Sequence, residues 1–170
     1  MQRAIPYLVV LSGLLFSATT PAKGGPAQNP FQPGQCTAAV WKVWVQQLGH
    51  PSVPSTRSAT FWWDDAPGAG YFRSIVPPQW PSIMVLGGWP QNPLGHVAVT
   101  LETEDLTNSW GPGWSMVYTV QWNWSPSTVG NGNAPLQFYW VAVDSWTQQV
   151  WYWYPTGWGA AHPLRGFVWR

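Results

Sequence analysis

The segment NPFQPGQCT, residues 29–37, determines how the rest of the chain is interpreted. Its Cys36 is the only cysteine among the 170 residues. The residues after it place apolar side chains at a helical period up to Gly49, while Gly34 and the two prolines keep the segment itself out of that helix. Cys36 is therefore predicted at a helix N-terminus, where unpaired backbone N–H groups lower the pKa of a thiol and favour the reactive thiolate.

A lone cysteine also has plainer interpretations. It can be a small buried apolar residue, or it can form a disulfide with another molecule. A third interpretation is lipid attachment near the N-terminus of an exported protein. Pro33 and Gln35 are poor neighbours for a lipid-acceptor cysteine, and the apolar leader ends well before them. The choice among these interpretations depends on the rest of the chain.

The composition excludes several classes of protein. Charged residues make up 8% of the chain and the net charge is +1, so the clustered cations of a nucleic-acid-binding protein are absent from the sequence. The apolar content of 45% argues against a disordered chain. Sixteen Trp, 18 Pro and 17 Gly indicate a fold rich in strands, turns and aromatic contacts. One cysteine permits no internal disulfide, so the core must be held by burial alone.

The N-terminus has the pattern of an export signal. Arg3 precedes a short apolar run and a series of small residues, so residues 1–22 are predicted to be a signal peptide with an ambiguous cleavage site. An uncleaved anchor is the alternative. Residues 23–28 are a predicted linker and residues 29–170 a single domain. No later segment is long and apolar enough for a transmembrane helix. The predicted export signal makes the expected location secreted, periplasmic or associated with the cell wall.

The order of predicted elements indicates an α+β fold. A second short helix is predicted over Ser58–Ala66, with Ser58 as its N-cap. Alternating apolar and polar residues then predict strands. Helices followed by a run of strands predict N-terminal helices packed on one side of a twisted antiparallel β-sheet. The predicted strands are Ile83–Leu86, His96–Glu104, Met116–Trp124, Phe138–Val143, Gln149–Tyr154 and Gly166–Trp169.

A cysteine nucleophile needs a base, and the base needs a group that orients it. Of the three histidines, His96 is the best candidate because it opens a predicted strand, whereas His50 follows a helix end and His162 lies in a predicted loop. Gln121 and Asn123 lie two residues apart on one face of the next strand, within expected reach of His96. An amide oxygen accepts the ring N–H bond and fixes the tautomer. The alternative is that both amides are ordinary polar residues of a sheet face.

Three stretches together resemble the CHAP domains, the cysteine, histidine-dependent amidohydrolases/peptidases of bacterial cell walls and phage lysins. They are GQCT at residues 34–37, GHVAV at residues 95–99 and QWNW at residues 121–124, the last similar to the family's E-x-N-W. The resemblance implies a papain-like fold, with Cys36 as nucleophile and His96 as general base. Asn123 matches the family's asparagine. Gln121 stands where a glutamate is usual, and this difference leaves open an enzyme of low activity, a narrowed substrate range or a degenerate copy.

The implied activity is hydrolysis of an amide bond in peptidoglycan, by a muramoyl-alanine amidase or a stem or cross-bridge endopeptidase. Gln35 is the candidate side-chain donor to the oxyanion. No cofactor is implied, and no metal, because His and Cys are too few and too scattered for a zinc site. The alternatives are a Trp-rich module that binds wall polymer or a partner protein without cutting it, and a toxin-like effector delivered to competitors. The tryptophans expected to face the cleft are Trp89, Trp122 and Trp124.

Overall fold

The computed structural model describes residues 28–122, 135–154 and 157–170. The predicted signal peptide, residues 1–22, lies outside the described residues, as do nearly all of the predicted linker and both Asn123 and Trp124.

The helical segments are short. Helix α1, Cys36–Trp41, continues as a π-helical segment, Lys42–Gln47. A 3₁₀ turn, Ala59–Phe61, leads into the one-turn helix α2, Trp62–Asp65. No helix in the described part of the chain has the length and apolarity needed to cross a membrane. The remaining elements are helix α3, Thr107–Trp110, and strands β1, Phe72–Ser74; β2, Ser82–Leu86; β3, His96–Asp105; β4, Trp114–Gln121; β5, Gln137–Asp144; β6, Gln149–Tyr154; β7, Gly157–Trp158; and β8, His162–Trp169.

Six of the strands form a closed antiparallel barrel. The order is β8-β2-β3-β4-β5-β6, and β6 pairs back onto β8 through Val150 opposite His162. Strand β1 extends the sheet beside β8, and β7 pairs with the end of β6. Closure gives each of the six barrel strands a neighbouring strand on both sides, so none of the six is an edge strand where it is paired.

The predicted fold class is wrong, because the structure is a mostly β barrel rather than helices packed on an open sheet. The closing strand β8 begins at His162, four residues before the predicted strand at Gly166. Pro163 and Gly166 interrupt its alternation, and its pairing with β2 shifts register between Val85 and Leu86. A strand that carries Pro and Gly gives a weak sequence signal, and its pairing with the distant β6 leaves no local pattern.

Strand β2 and the first half of β3, residues 96–100, are buried on both faces and separate two cores. Ile83 and Val85 pack outward against α1 and the π-helical segment in one apolar cluster. Met84 and Leu86, which alternate with them, point into the barrel and join Tyr152 in a second cluster. Because side chains alternate along a strand, His96 shares the barrel-facing side of β3 with Ala98. The two-sided burial therefore directs a polar histidine into an apolar interior.

The outer face of β4 to β7 carries exposed aromatic residues, and Trp110 of the short helix α3 packs edge-on against Trp114 and Trp158 there. The rings of Trp114 and Trp151 stack at 5.3 Å between centroids, and those of Tyr118 and Trp140 lie 5.0 Å apart. Outward positions of an antiparallel sheet are usually polar, so this aromatic face is unusual. Its most exposed members are Trp110, Phe138, Trp140, Trp153 and Trp158.

Candidate active site

Cys36 is the first residue of α1 and lies against the start of β3. Gln35 before it is in an extended conformation, so the backbone N–H groups of Cys36 and Thr37 face the sulfur. The sulfur also accepts a hydrogen bond from the backbone N–H of Val97, the residue that follows His96. The start of α1 and the start of β3 therefore meet at this sulfur.

The pKa of the Cys36 thiol is shifted in the opposite direction from the one that the sequence predicts. Its side chain is 8% exposed, and burial raises the pKa to about 11. The hydrogen bonds from Val97, Thr37 and its own N–H lower the pKa, but they are weaker than the cost of removing a thiolate from water. The helix N-terminus was correctly placed, whereas the expected lowering of the thiol pKa was wrong because the site excludes water.

His96 is held at the first position of β3 by the turn before it. Gly95 has φ of +71°, and a Cβ there would lie 2.6 Å from the carbonyl oxygen of Leu86. Only glycine fits such a turn without displacing the neighbouring strand. The His96 ring is 1% exposed and donates its Nε2–H to Oε1 of Gln121 at 2.7 Å. This bond leaves Nδ1 of the neutral ring as its basic nitrogen.

Gln121 ends strand β4 and is fully buried. Its Oε1 accepts a second hydrogen bond from the hydroxyl of Tyr152 at 3.2 Å. Its Nε2 has no hydrogen-bond partner among the described residues. Tyr152 is a site residue that the sequence analysis missed, because the alternation of β6 predicts its buried face but not that it meets β4 inside a barrel.

The pKa of His96 is lowered to about 4. Burial is the main cause, the hydrogen bond that His96 donates to Gln121 opposes it, and the positive charge of a protonated His162 adds to the lowering. At neutral pH the resting site therefore holds an uncharged thiol and an uncharged imidazole. A carboxylate in place of the Gln121 amide would have favoured the charged imidazolium instead.

The other predicted site residues occupy varied positions. The exposed Nε2 of Gln35 donates to the side chain of Gln32 at 3.1 Å. Trp122 is 4% exposed and packs against α1, with Nζ of Lys42 lying 5.2 Å from its ring centroid. Trp89 is half-buried, and its ring centroid lies 4.7 Å from that of His162. In the described part of the chain, no group of three His, Cys, Asp or Glu side chains is placed to hold a metal ion.

The buried histidine predicts an acid-sensitive fold. An unfolded chain protonates His96 near its ordinary pKa of 6.5, whereas the folded chain resists protonation down to about 4. Between these values the unfolded state binds more protons, so stability is complete above about pH 6.5 and falls as the pH falls. The shift corresponds to about 3 kcal/mol of unfolding free energy. Urea denaturation at pH 7 and pH 4 should show this loss.

The matched variant for this test is His96→Asn, because His50 and His162 also have lowered pKa values and titrate in both proteins. Subtracting the variant's pH dependence isolates His96. A wild-type loss no larger than that of the variant would contradict a buried, neutral histidine.

A family model described as CHAP domain matches residues 26–119, just over half of the chain. The matched region contains both Cys36 and His96 and ends two residues before Gln121. No curated protein and no solved structure matches the chain.

Proposed function

Because the chain belongs to the CHAP domain family, we propose that it hydrolyses an amide bond of peptidoglycan, with Cys36 as nucleophile and His96 as general base. Membership supports a peptidoglycan-hydrolase-like function in general. The observation that carries the finer proposal is the hydrogen bond from His96 to Gln121 beside the start of α1, where the sulfur of Cys36 lies against Val97. A nucleophile, a base and an orienting group are the parts that cysteine acyl transfer needs.

The neutral resting site defines the first step. The thiol proton passes to Nδ1 of His96 while the sulfur bonds to the amide carbon, since the pKa values favour no preformed ion pair. The negative oxygen that develops is stabilised by backbone N–H groups at the start of α1, with Gln35 as the candidate side-chain donor.

The tetrahedral intermediate then breaks down, and His96 carries the protons that this step requires. The imidazolium of His96 returns its proton to the leaving amine as the C–N bond breaks, which leaves a thioester on Cys36. Water attacks the thioester carbon as His96 accepts one of its protons, and His96 then returns this proton to the sulfur as the C–S bond breaks, which releases the acid product and restores the Cys36 thiol.

The site also has to meet its substrate. Peptidoglycan lies outside the cell membrane, so the proposal includes export of the chain by the signal predicted at residues 1–22. The bond cut is either the amide joining muramic acid to the stem peptide or an amide within the stem or cross-bridge.

The test is digestion of purified peptidoglycan with separate assays for free amino groups and for reducing sugar ends. We expect amino groups to increase with time while reducing ends stay constant, because an amide rather than a glycosidic bond is broken. Mass spectrometry of the soluble fragments then distinguishes a freed muramic carboxyl from a freed peptide carboxyl. An increase in reducing ends alone would overturn the proposal.

A second candidate function is binding of wall polymer without cleavage. The exposed aromatic face of β4 to β7 favours it, since aromatic rings offer large contact areas to sugar and peptide. Sedimentation of the protein with insoluble peptidoglycan, accompanied by no release of amino groups, would support this candidate over the hydrolase.

A further inference from the structure

The hydrogen bonds of Gln121 raise a question of orientation. A side-chain amide has one oxygen and one nitrogen of nearly equal size, and rotation by a half turn exchanges them. With the oxygen toward His96, the ring carries its proton on Nε2 and its lone pair on Nδ1. With the nitrogen toward His96, the amide would donate to Nε2, and the ring proton would move to Nδ1. A glutamate at this position has two oxygens and presents no such alternative.

We propose that Tyr152 is a positioning residue, whose buried hydroxyl holds the Gln121 amide with its oxygen facing His96 and thereby fixes the basic nitrogen of the histidine. The proposal rests on the proposed function, because it concerns the base of that reaction. Both donors, Nε2–H of His96 at 2.7 Å and the Tyr152 hydroxyl at 3.2 Å, point at the same oxygen. Two donors on one side of an amide favour the orientation that presents its acceptor to both.

The surroundings of Tyr152 keep its hydroxyl in place and protonated. The side chain is completely buried, and its ring packs edge-on against Tyr139 at 5.6 Å between centroids. Burial raises the pKa of Tyr152 well above its ordinary value, so the hydroxyl remains a donor across the working pH range. Among the described residues, Nε2 of Gln121 has no hydrogen-bond partner, so no contact of the nitrogen offsets the two hydrogen bonds to the oxygen.

The first experiment measures the tautomer directly and requires no enzymatic activity. In the wild-type chain, ¹⁵N NMR of the His96 ring should show a single neutral form with hydrogen on Nε2. In Tyr152→Phe, a second population with hydrogen on Nδ1 should appear. Tyr139→Phe is the matched control, because it removes a neighbouring hydroxyl that does not bond to Gln121, and it should leave the wild-type spectrum. An unchanged His96 tautomer in folded Tyr152→Phe would overturn the proposal, whether or not the protein proves to be a hydrolase.

The second experiment separates positioning from a purely structural role. Loss of one neutral hydrogen bond predicts that Tyr152→Phe lowers kcat about 3- to 10-fold with KM unchanged. The same substitution in a Gln121→Glu background should change kcat less than about twofold, because either carboxylate oxygen can accept the hydrogen bond from Nε2–H of His96. An equal loss of kcat in both backgrounds would assign Tyr152 to packing alone and overturn the proposal.

Discussion

Replacing Cys36 by alanine should reduce the release of amino groups from peptidoglycan by a factor on the order of 1,000 or more. The sulfur is the only thiol in the chain and the group that contacts the backbone at the start of β3. Without it no thioester can form, and the remaining N–H donors and binding contacts stabilise only a direct attack by water. The measurement is the initial rate of amine release at equal protein concentration.

The control for Cys36→Ala is a measurement showing that the variant still folds. Cys36 is a small side chain in the outer apolar cluster, so its truncation to alanine leaves a small cavity and costs about 1 kcal/mol. Far-ultraviolet circular dichroism and sedimentation with insoluble peptidoglycan should therefore match the wild-type chain. Cys36→Ser, which keeps the polar atom but is a far weaker nucleophile, should be similarly inactive. Release of amino groups by either variant at the wild-type rate would mean that a different nucleophile acts.

Local patterns predicted the positions of Cys36, His96 and Gln121 on their helix and strands better than they predicted the fold. Cys36 at a helix start, His96 at a strand start and Gln121 on the following strand each depend on short-range periodicity, which a sequence displays directly. The barrel depends on β8 pairing with β6, and that contact is set by overall topology. The pKa of Cys36 is raised rather than lowered for a similar reason: a helix terminus can be recognised in the sequence, whereas the burial of the sulfur depends on the tertiary structure. The catalytic roles of these residues stay predictions.

Tyr152 and the aromatic residues illustrate this limit further. The strand that carries Tyr152 was predicted with its bounds, but only closure of the barrel brings its hydroxyl to Gln121. Trp140 lies on the outer face of β5, where its side chain is 40% exposed. The composition gives the number of aromatic residues. Whether each one faces the core or solvent depends on which faces of the sheet are covered in the tertiary structure.

Gln121→Glu should raise the pKa of His96 from about 4 by about 1 to 3 units, the range for an opposite charge in contact. The substitution preserves shape and removes no hydrogen bond seen in the described residues, because Nε2 of Gln121 has no partner there. The new carboxylate stabilises the imidazolium that forms when His96 takes the thiol proton. We expect kcat/KM at neutral pH to increase about tenfold, measured by amine release, and NMR titration of His96 to report its pKa.

The Gln121→Glu substitution should also shift the acid limb of the pH–rate profile, and the direction of the shift follows from the His96 pKa. In the wild-type chain the base is lost only when His96 becomes protonated near pH 4, so activity should persist well into the acid range. In Gln121→Glu the neutral His96 ring becomes an imidazolium at a higher pH than in the wild-type chain. The acid limb should therefore shift to higher pH together with the His96 pKa. Gln121→Leu is the matched control, since it is similar in size but has no acceptor, and it should lower kcat/KM. If the Glu and Leu variants both lost activity equally, with the His96 pKa unchanged, residue 121 would not be the group that orients the base.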